Sequence, residues 1–303
     1  MKKGYRSKLF VPGNRPEWFE KALVSGADAM SIDLEDAVPA GERATARLNV
    51  REFFENRVPQ ALANDTDVIV RLNSRESGLM IEDMLAVVRP GLAMVNVPKV
   101  EDPLAIQLCA DILDHIERQY EFDQPVSILA TIESPAGVRR AAEIAGAHRR
   151  MAGLQFGVGD FAIYMGMTAS PPRLMPTWST LVGAAREAGI VAYDSAFADI
   201  ADLPGFEAWA REARACGFVG KSCIHPSQVD VCNKVFSPTR AEVDKARAIV
   251  DAYDRAVASG RGALAFEGQL IDYPIAENAR RVAEMSPTDA FFSTDQKSGS
   301  QDG

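Results

Sequence analysis

The sequence predicts an α/β protein, a (β/α)8 TIM barrel with a C-terminal helical extension. Short β-rich runs alternate with amphipathic helical stretches along most of the 303 residues. Several of those runs are continuously apolar, as parallel strands covered on both faces must be. Eight strands, each with a following helix, close into a barrel, and a chain of this length fits one such unit. An open doubly wound sheet is the alternative, but no GxGxxG follows the first strand.

The strands are expected at Lys8–Val11, Ala29–Leu34, Val68–Leu72, Ala93–Pro98, Val126–Ile132, Ala152–Gly157, Ile190–Ala192 and Gly220–Ile224. Between them, apolar residues recur at helical spacing over Pro16–Ser25, Ala40–Glu55, Pro103–Tyr120, Gly137–Ala145, Ser179–Ala188 and Phe206–Ala215. Beyond the eighth strand, Pro238–Ser259 reads as a helix with Thr239 as N-cap and Gly260 at its end. Gly262–Ile271 is a glycine-punctuated extended segment, and Ile275–Ala283 is helical again. The expected division is a catalytic barrel over 1–235, an extension over 236–287, and a polar tail over 288–303 with the composition of disorder. No internal repeat is present.

Composition narrows the function classes. With 47% hydrophobic and 25% charged residues, the chain has ample material for a globular core. A net charge of -9 and a pI near 5.0 argue against general nucleic-acid binding, so any basic ligand site must be local. Cys109, Cys216, Cys223 and Cys232 show no CxxC spacing and are too sparse for a disulfide framework. The start MKKGYRSKLFVPG lacks a long apolar run, and no stretch approaches the roughly 20 apolar residues that span a bilayer. These features lead to the expectation of a cytoplasmic protein outside the membrane.

In an α/β barrel, the chemistry gathers at the C-terminal ends of the strands. Here strand two ends in Asp33-Leu34-Glu35-Asp36, strand three in Arg71-Leu72-Asn73 and strand four in Pro98-Lys99. Strand five ends in Glu133-Ser134-Pro135, strand six in Gly157-Val158-Gly159-Asp160, and strand eight runs into Cys223-Ile224-His225-Pro226. Glu133 and Asp160 close consecutive strands, and two carboxylates with waters and substrate oxygens make a hard site suited to Mg2+. Solvated loop acids or helix N-caps are the other reading of that pair. Arg71 has the planar fork for a substrate carboxylate, or it is a structural partner of Glu35 or Asp36.

Arg15 and Lys21 lie about two turns apart on PGNRPEWFEKA and could meet phosphates at the barrel mouth, or form a solvated helix face. His225, followed by proline, suits loop fixing better than general-base work. Lys99 suits ion pairing with nearby carboxylates better than a Schiff base. GxSxG, HExxH and Walker A motifs are absent from the sequence.

In order along the chain, RSKLFVPGNRPEWFEKA, SIDLEDAVP, VRLN, VPKVE, IESPAG, FGVGDFAIYMG, GKSCIHPSQ and GQLIDYP resemble the CitE-like branch of the HpcH/HpaI aldolase family. That branch contains citrate lyase β subunits, malyl-CoA lyases and citramalyl-CoA lyases. The resemblance spans residues 6 to about 280, nearly the whole chain. It implies a Mg2+-dependent lyase acting on a 3-hydroxyacyl-CoA thioester, with acetyl-CoA and a 2-oxoacid as the small-molecule partners. Glu133 and Asp160 would hold the metal, with Glu35 and Asp36 behind them orienting Arg71. Arg71 would bind the 2-oxoacid carboxylate, supported by backbone N–H groups near Gly159 and Asp160.

The resemblance also makes Arg15 and Lys21 contacts to CoA. Asp272 becomes a proton-transferring residue donated to a neighbouring subunit's site, which implies a homotrimer or a hexamer of trimers. A CoA-independent 2-oxoacid aldolase and a β subunit that needs partner subunits are the competing readings. Oxaloacetate, glyoxylate and pyruvate share one carboxylate-plus-carbonyl handle, so these motifs do not separate them.

Overall fold

The computed structural model describes residues 4–56, 66–122 and 124–284. The expected disordered tail, 288–303, lies outside the described residues. Eight parallel strands close into a barrel in chain order: β1 Ser7–Pro12, β2 Ala29–Asp33, β3 Asp67–Arg71, β4 Leu92–Val97, β5 Ser127–Ile132, β6 Met151–Phe156, β7 Val191–Asp194 and β8 Gly220–Cys223. The seam pairs β1 with β8 through Ser7↔Lys221, Lys8↔Ser222 and Leu9↔Cys223. Gly220 makes this closure possible, because a Cβ there would stand 1.9 Å from the Tyr5 carbonyl oxygen.

Strand side chains alternate between the helices and the barrel axis. Outward residues such as Val11, Ile32, Val70, Val97, Ile132 and Phe156 join the helices in one large apolar core. Inward residues change character along the axis. A small apolar plug that includes Ile69, Met94, Leu129, Val191 and Tyr193 fills the N-terminal end. Above it lie buried Lys8, Ser31, Asn96, Thr131, Gln155 and Ser222, and above those the charged strand tips. The interior therefore grades from apolar through polar to ionic towards the mouth.

Most elements fall where hydrophobic period places them, and the departures have local causes. Pro16–Trp18 and Ala40–Glu42 are 3-10 turns that lead into the helices Phe19–Leu23 and Arg43–Asn56. The segment read as one helix over Gly137–Ala145 is two, Pro135–Arg139 and Ala141–Ala145, divided at Arg140. The helix expected from Ser179 begins at Pro171, after Ser170, and carries Pro176 inside it. Pro171 and Pro172 sit in the first turn, where a missing N–H costs no hydrogen bond, whereas Pro176 lies in the second turn and leaves the Pro172 carbonyl without its helical donor.

The helix Arg240–Ala258 has the expected Thr239 cap, completed by a reciprocal bond from Thr239 N–H to Glu242. It packs against Tyr273–Ala283 through Ala246, Ile249, Tyr253, Ala276 and Ala279, with a two-stranded hairpin, β9 Leu264–Phe266 and β10 Gln269–Ile271, between them in sequence. This cluster is distinct from the barrel core. No helix among the described residues is long and apolar enough to cross a membrane.

Trp178 is fully buried and meets Trp209 and Phe218 edge to face, at centroid distances of 6.0 and 5.6 Å. Trp178→Ala removes that contact and leaves a cavity. It should cost about 3–5 kcal/mol, read as a lower urea midpoint at an unchanged slope.

Candidate active site

The site starts from Asp33, the buried last residue of β2. Its carboxylate accepts from the backbone N–H of Glu35 at 3.0 Å and Ala37 at 2.9 Å, which folds the LED segment back over the barrel mouth. Asp33 and Arg71 are register partners on β2 and β3. Arg71 Nε and Nη2 donate to the two Asp33 oxygens at 2.6 Å each, a bidentate pair. Burial works against the Asp33 charge, but Arg71 more than offsets it and holds the carboxyl below its usual range. Arg71 Nη1 stands 3.5 Å from both Glu35 Oε2 and Asp36 Oδ2. Arg71 thus has Glu35 and Asp36 beside it, but its fork is held by Asp33, which the sequence reading missed.

Lys99, just beyond β4, is left-handed at φ 53°, a strained conformation for a residue with a Cβ. Its backbone N–H donates to Glu133 Oε1 at 2.7 Å. Its ammonium lies 3.0 Å from Glu35, 3.2 Å from Asp36 and 3.7 Å from Asp160. One residue therefore touches acids from three strand ends. The ion-pairing expectation for Lys99 agrees with this geometry.

Glu133 follows β5 and precedes a short helix that Ser134 caps through its Oγ, which accepts from Gly137 N–H at 3.1 Å. Gly157, after β6, lies against it: a Cβ there would be 2.5 Å from Glu133 Oε2 and 2.6 Å from Glu133 Cβ. Only glycine leaves room for this carboxylate. The next helix, Val158–Met165, carries Gly159 and Asp160 in its first turn, where backbone N–H groups are free and negative charge is favoured.

Glu133, Asp160, Arg71, Asp33, Asp36, Gly159 and Lys21 line one cavity of about 720 Å³ at the barrel mouth. Buried oxygens of Glu35 (Oε2) and Asp160 (Oδ2) accept no hydrogen bond within the protein. Burial pushes the Glu133 carboxyl up to about 8, with the nearby Glu35 and Asp160 charges adding to the rise. No group of three or more His, Cys, Asp or Glu residues among the described residues forms a ready cage for a metal. The donor set instead fits a hard cation held by two carboxylates, with its other positions left to water and substrate oxygens. Glu133 and Asp160 are the residues that could hold it.

The remaining expected residues divide. His225 lies at the cavity rim with Nδ1 engaged by Ser227, its N–H at 3.2 Å, which is a loop-fixing arrangement. Arg15 is exposed near Trp18, 6.0 Å from its ring, and is not among the lining residues. Asp272 is also not among them: it caps the helix Tyr273–Ala283, accepting from Ile275 N–H at 3.4 Å. Two lining residues that sequence reasoning passed over are Thr131 and Gln155, inward positions on β5 and β6. The inward alternation along the two strands was the signal that could have found them.

Residues 6–226 match the family model described as HpcH/HpaI aldolase/citrate lyase. The citrate lyase subunit beta of Escherichia coli (strain K12) is 34% identical over 293 residues, covering 93% of this chain and 94% of its own. An L-malyl-CoA/beta-methylmalyl-CoA lyase of Cereibacter sphaeroides is 33% identical over 310 residues, covering 92% and 95%. Among solved structures, the protein CitE from Mycobacterium tuberculosis, in complex with magnesium, acetoacetate and coenzyme A, superposes with a TM-score of 0.74 at 30% identity. That match covers 93% of this chain and 98% of that one. With its closed eight-stranded barrel and acid-rich mouth, the chain belongs to the HpcH/HpaI aldolase/citrate lyase family.

Proposed function

We propose that this chain is a Mg2+-dependent carbon–carbon lyase that cleaves or forms a 3-hydroxyacyl-CoA thioester, with acetyl-CoA and a 2-oxoacid as the two halves. Citryl-, malyl- and citramalyl-CoA are the candidate thioesters. One observation carries the reading: Glu133 and Asp160, from consecutive strand ends, line the same cavity as Arg71, and Asp160 keeps a buried oxygen without a hydrogen bond. The ligands of the Mycobacterium tuberculosis complex, magnesium, acetoacetate and coenzyme A, support the same ligand classes here.

When bound, the divalent ion would polarise the 2-oxoacid carbonyl and neutralise charge that develops on its oxygen. The protein's own groups do the rest. Arg71, its orientation fixed by Asp33, offers its remaining Nη1 end to the 2-oxoacid carboxylate. Glu35 and Asp36 steer Arg71 and Lys99, and the first-turn N–H groups of Gly159 and Asp160 add donors on the opposite wall. Lys21 on the cavity wall, with Arg15 outside it, is suited to the CoA phosphates.

Asp272 would take a proton from the acetyl-CoA methyl group in condensation and return it to the enolate carbon in cleavage. A neighbouring copy would supply it, in a homotrimer or hexamer. The exposed apolar residues around it, Leu270, Tyr273 and Ile275, support this placement at an interface. The extension would then be a separate unit from the barrel, and the whole would act in the cytoplasm. The relatives named citrate lyase subunit beta favour a second reading, in which the chain needs partner subunits.

Turnover of citryl-, malyl- and citramalyl-CoA by the purified chain alone separates these readings. The lyase reading expects cleavage of at least one thioester with Mg2+ and none in EDTA. Asp272→Ala should lose about 100-fold or more in kcat while the Mg2+ Kd, measured by calorimetry, stays within about twofold. Undiminished activity in EDTA would contradict the mechanism, and silence without added subunits would favour the second reading.

The metal-free cluster also has a stability signature. Burial raises Glu133 to about 8 and Glu35 to about 7, from an ordinary value of 4.5. The folded state thus binds more protons than the unfolded state above pH 4.5, so this contribution is full below 4.5 and is lost as pH rises through 7 and 8. In EDTA, the Tm difference between Glu133→Gln and the unaltered protein should grow in the variant's favour from about pH 5 to about pH 8. Excess Mg2+ should reverse it. A difference that does not change with pH would refute the assignment.

A further inference from the structure

One buried lysine takes no part in the mechanism above. Lys8, on β1, points into the barrel and is fully buried. Among the described residues it has no carboxylate partner. Its ammonium donates to Gln155 Oε1 and stands 4.1 Å above the Tyr193 ring. A lysine placed this way has a consequence for its neighbour. By donating to Gln155 Oε1, Lys8 sets the Gln155 amide with its oxygen towards the lysine. The Nε2 group is then the end left for the cavity that Gln155 lines.

Ser222, the register partner of Lys8 on β8, lines the same cavity. It is 2% exposed, and its Oγ has no hydrogen-bond partner. A buried hydroxyl without a partner is rare unless a water or ligand completes it. Gln155 lies two residues before Gly157 on β6, hence about 6–7 Å below the metal-facing tips. A 2-oxoacid gripped at the rim by its carboxylate and carbonyl would direct its third substituent along this axis.

We propose that Gln155 and Ser222, with Lys8 as the positioning residue, form a donor-lined floor that selects 2-oxoacids bearing a second hydrogen-bond acceptor, a hydroxyl or a carboxylate, beyond the carbonyl. Acids that end in hydrogen or plain alkyl leave the floor donors unpaired and bind more weakly. This inference rests on the 2-oxoacid reading of the site and goes further by naming the feature that the pocket reads.

The test is calorimetric titration of the full chain with Mg2+, using 2-oxobutyrate, 3-hydroxypyruvate and oxaloacetate. The first two differ by a methyl against a hydroxyl of similar size, so a purely structural role for the floor would not change their ratio. The unaltered protein should bind 3-hydroxypyruvate, oxaloacetate or both at least about tenfold more tightly than 2-oxobutyrate. Oxaloacetate ahead of 3-hydroxypyruvate assigns the preference to charge, and the two being equal assigns it to hydrogen bonding alone. Gln155→Leu should bring the ratio to within about threefold. Lys8→Met should do the same, since methionine offers no donor to hold the Gln155 amide oxygen. Equal affinities in the unaltered protein, or a ratio that survives Gln155→Leu, would overturn the proposal and leave the lyase reading intact. Failure of all three acids to bind would overturn both.

Discussion

Five carboxylates, Asp33, Glu35, Asp36, Glu133 and Asp160, converge at the barrel mouth against two cations, Arg71 and Lys99. That imbalance shapes everything around it. Asp33 is neutralised in a bidentate pair, and Lys99 adopts a left-handed backbone that brings both its N–H and its ammonium to the cluster. Glu133 is left with a single N–H and the empty space beside Gly157, and burial disfavours its charge. A buried negative excess is costly unless a positive charge can join it. On the proposed reading a divalent ion would supply that charge, and the energetic fault in the metal-free protein would also be its binding site.

The barrel's graded interior makes this tolerable. The apolar plug at the N-terminal end and the apolar shell under the helices pack the strands away from the mouth. The tips can then carry strain and unpaired charge, as sites built on rigid strands generally do. Between plug and tips, the polar layer around Lys8, Gln155 and Ser222 has no evident structural purpose. A layer of valine and leucine would pack there at lower cost, which makes the polar layer a candidate for recognition.

Much of this was legible in the residues. Continuous apolar runs such as Val68-Ile69-Val70 and the polar residues that end each run predict a barrel and place Glu133, Asp160 and Arg71 at its mouth. Motif order carries the family. What stayed hidden depends on register across strands. Asp33 holds Arg71 because β2 and β3 end level with each other, and no spacing within one segment reports that. Lys8 and Ser222 meet only when β1 closes on β8, separated by more than two hundred residues. The role proposed for Asp272 would depend on a second copy of the chain, which neither the spacing of its neighbours nor the fold of one copy reveals.

The central claim is that one divalent cation joins Glu133 and Asp160 at adjoining strand ends. Anomalous diffraction from crystals grown with Mn2+ in place of Mg2+ tests it most directly. The account predicts one strong peak per chain, within coordination distance of an oxygen from each of these two carboxylates. A peak elsewhere, or a mouth without a peak at saturating Mn2+, would contradict it.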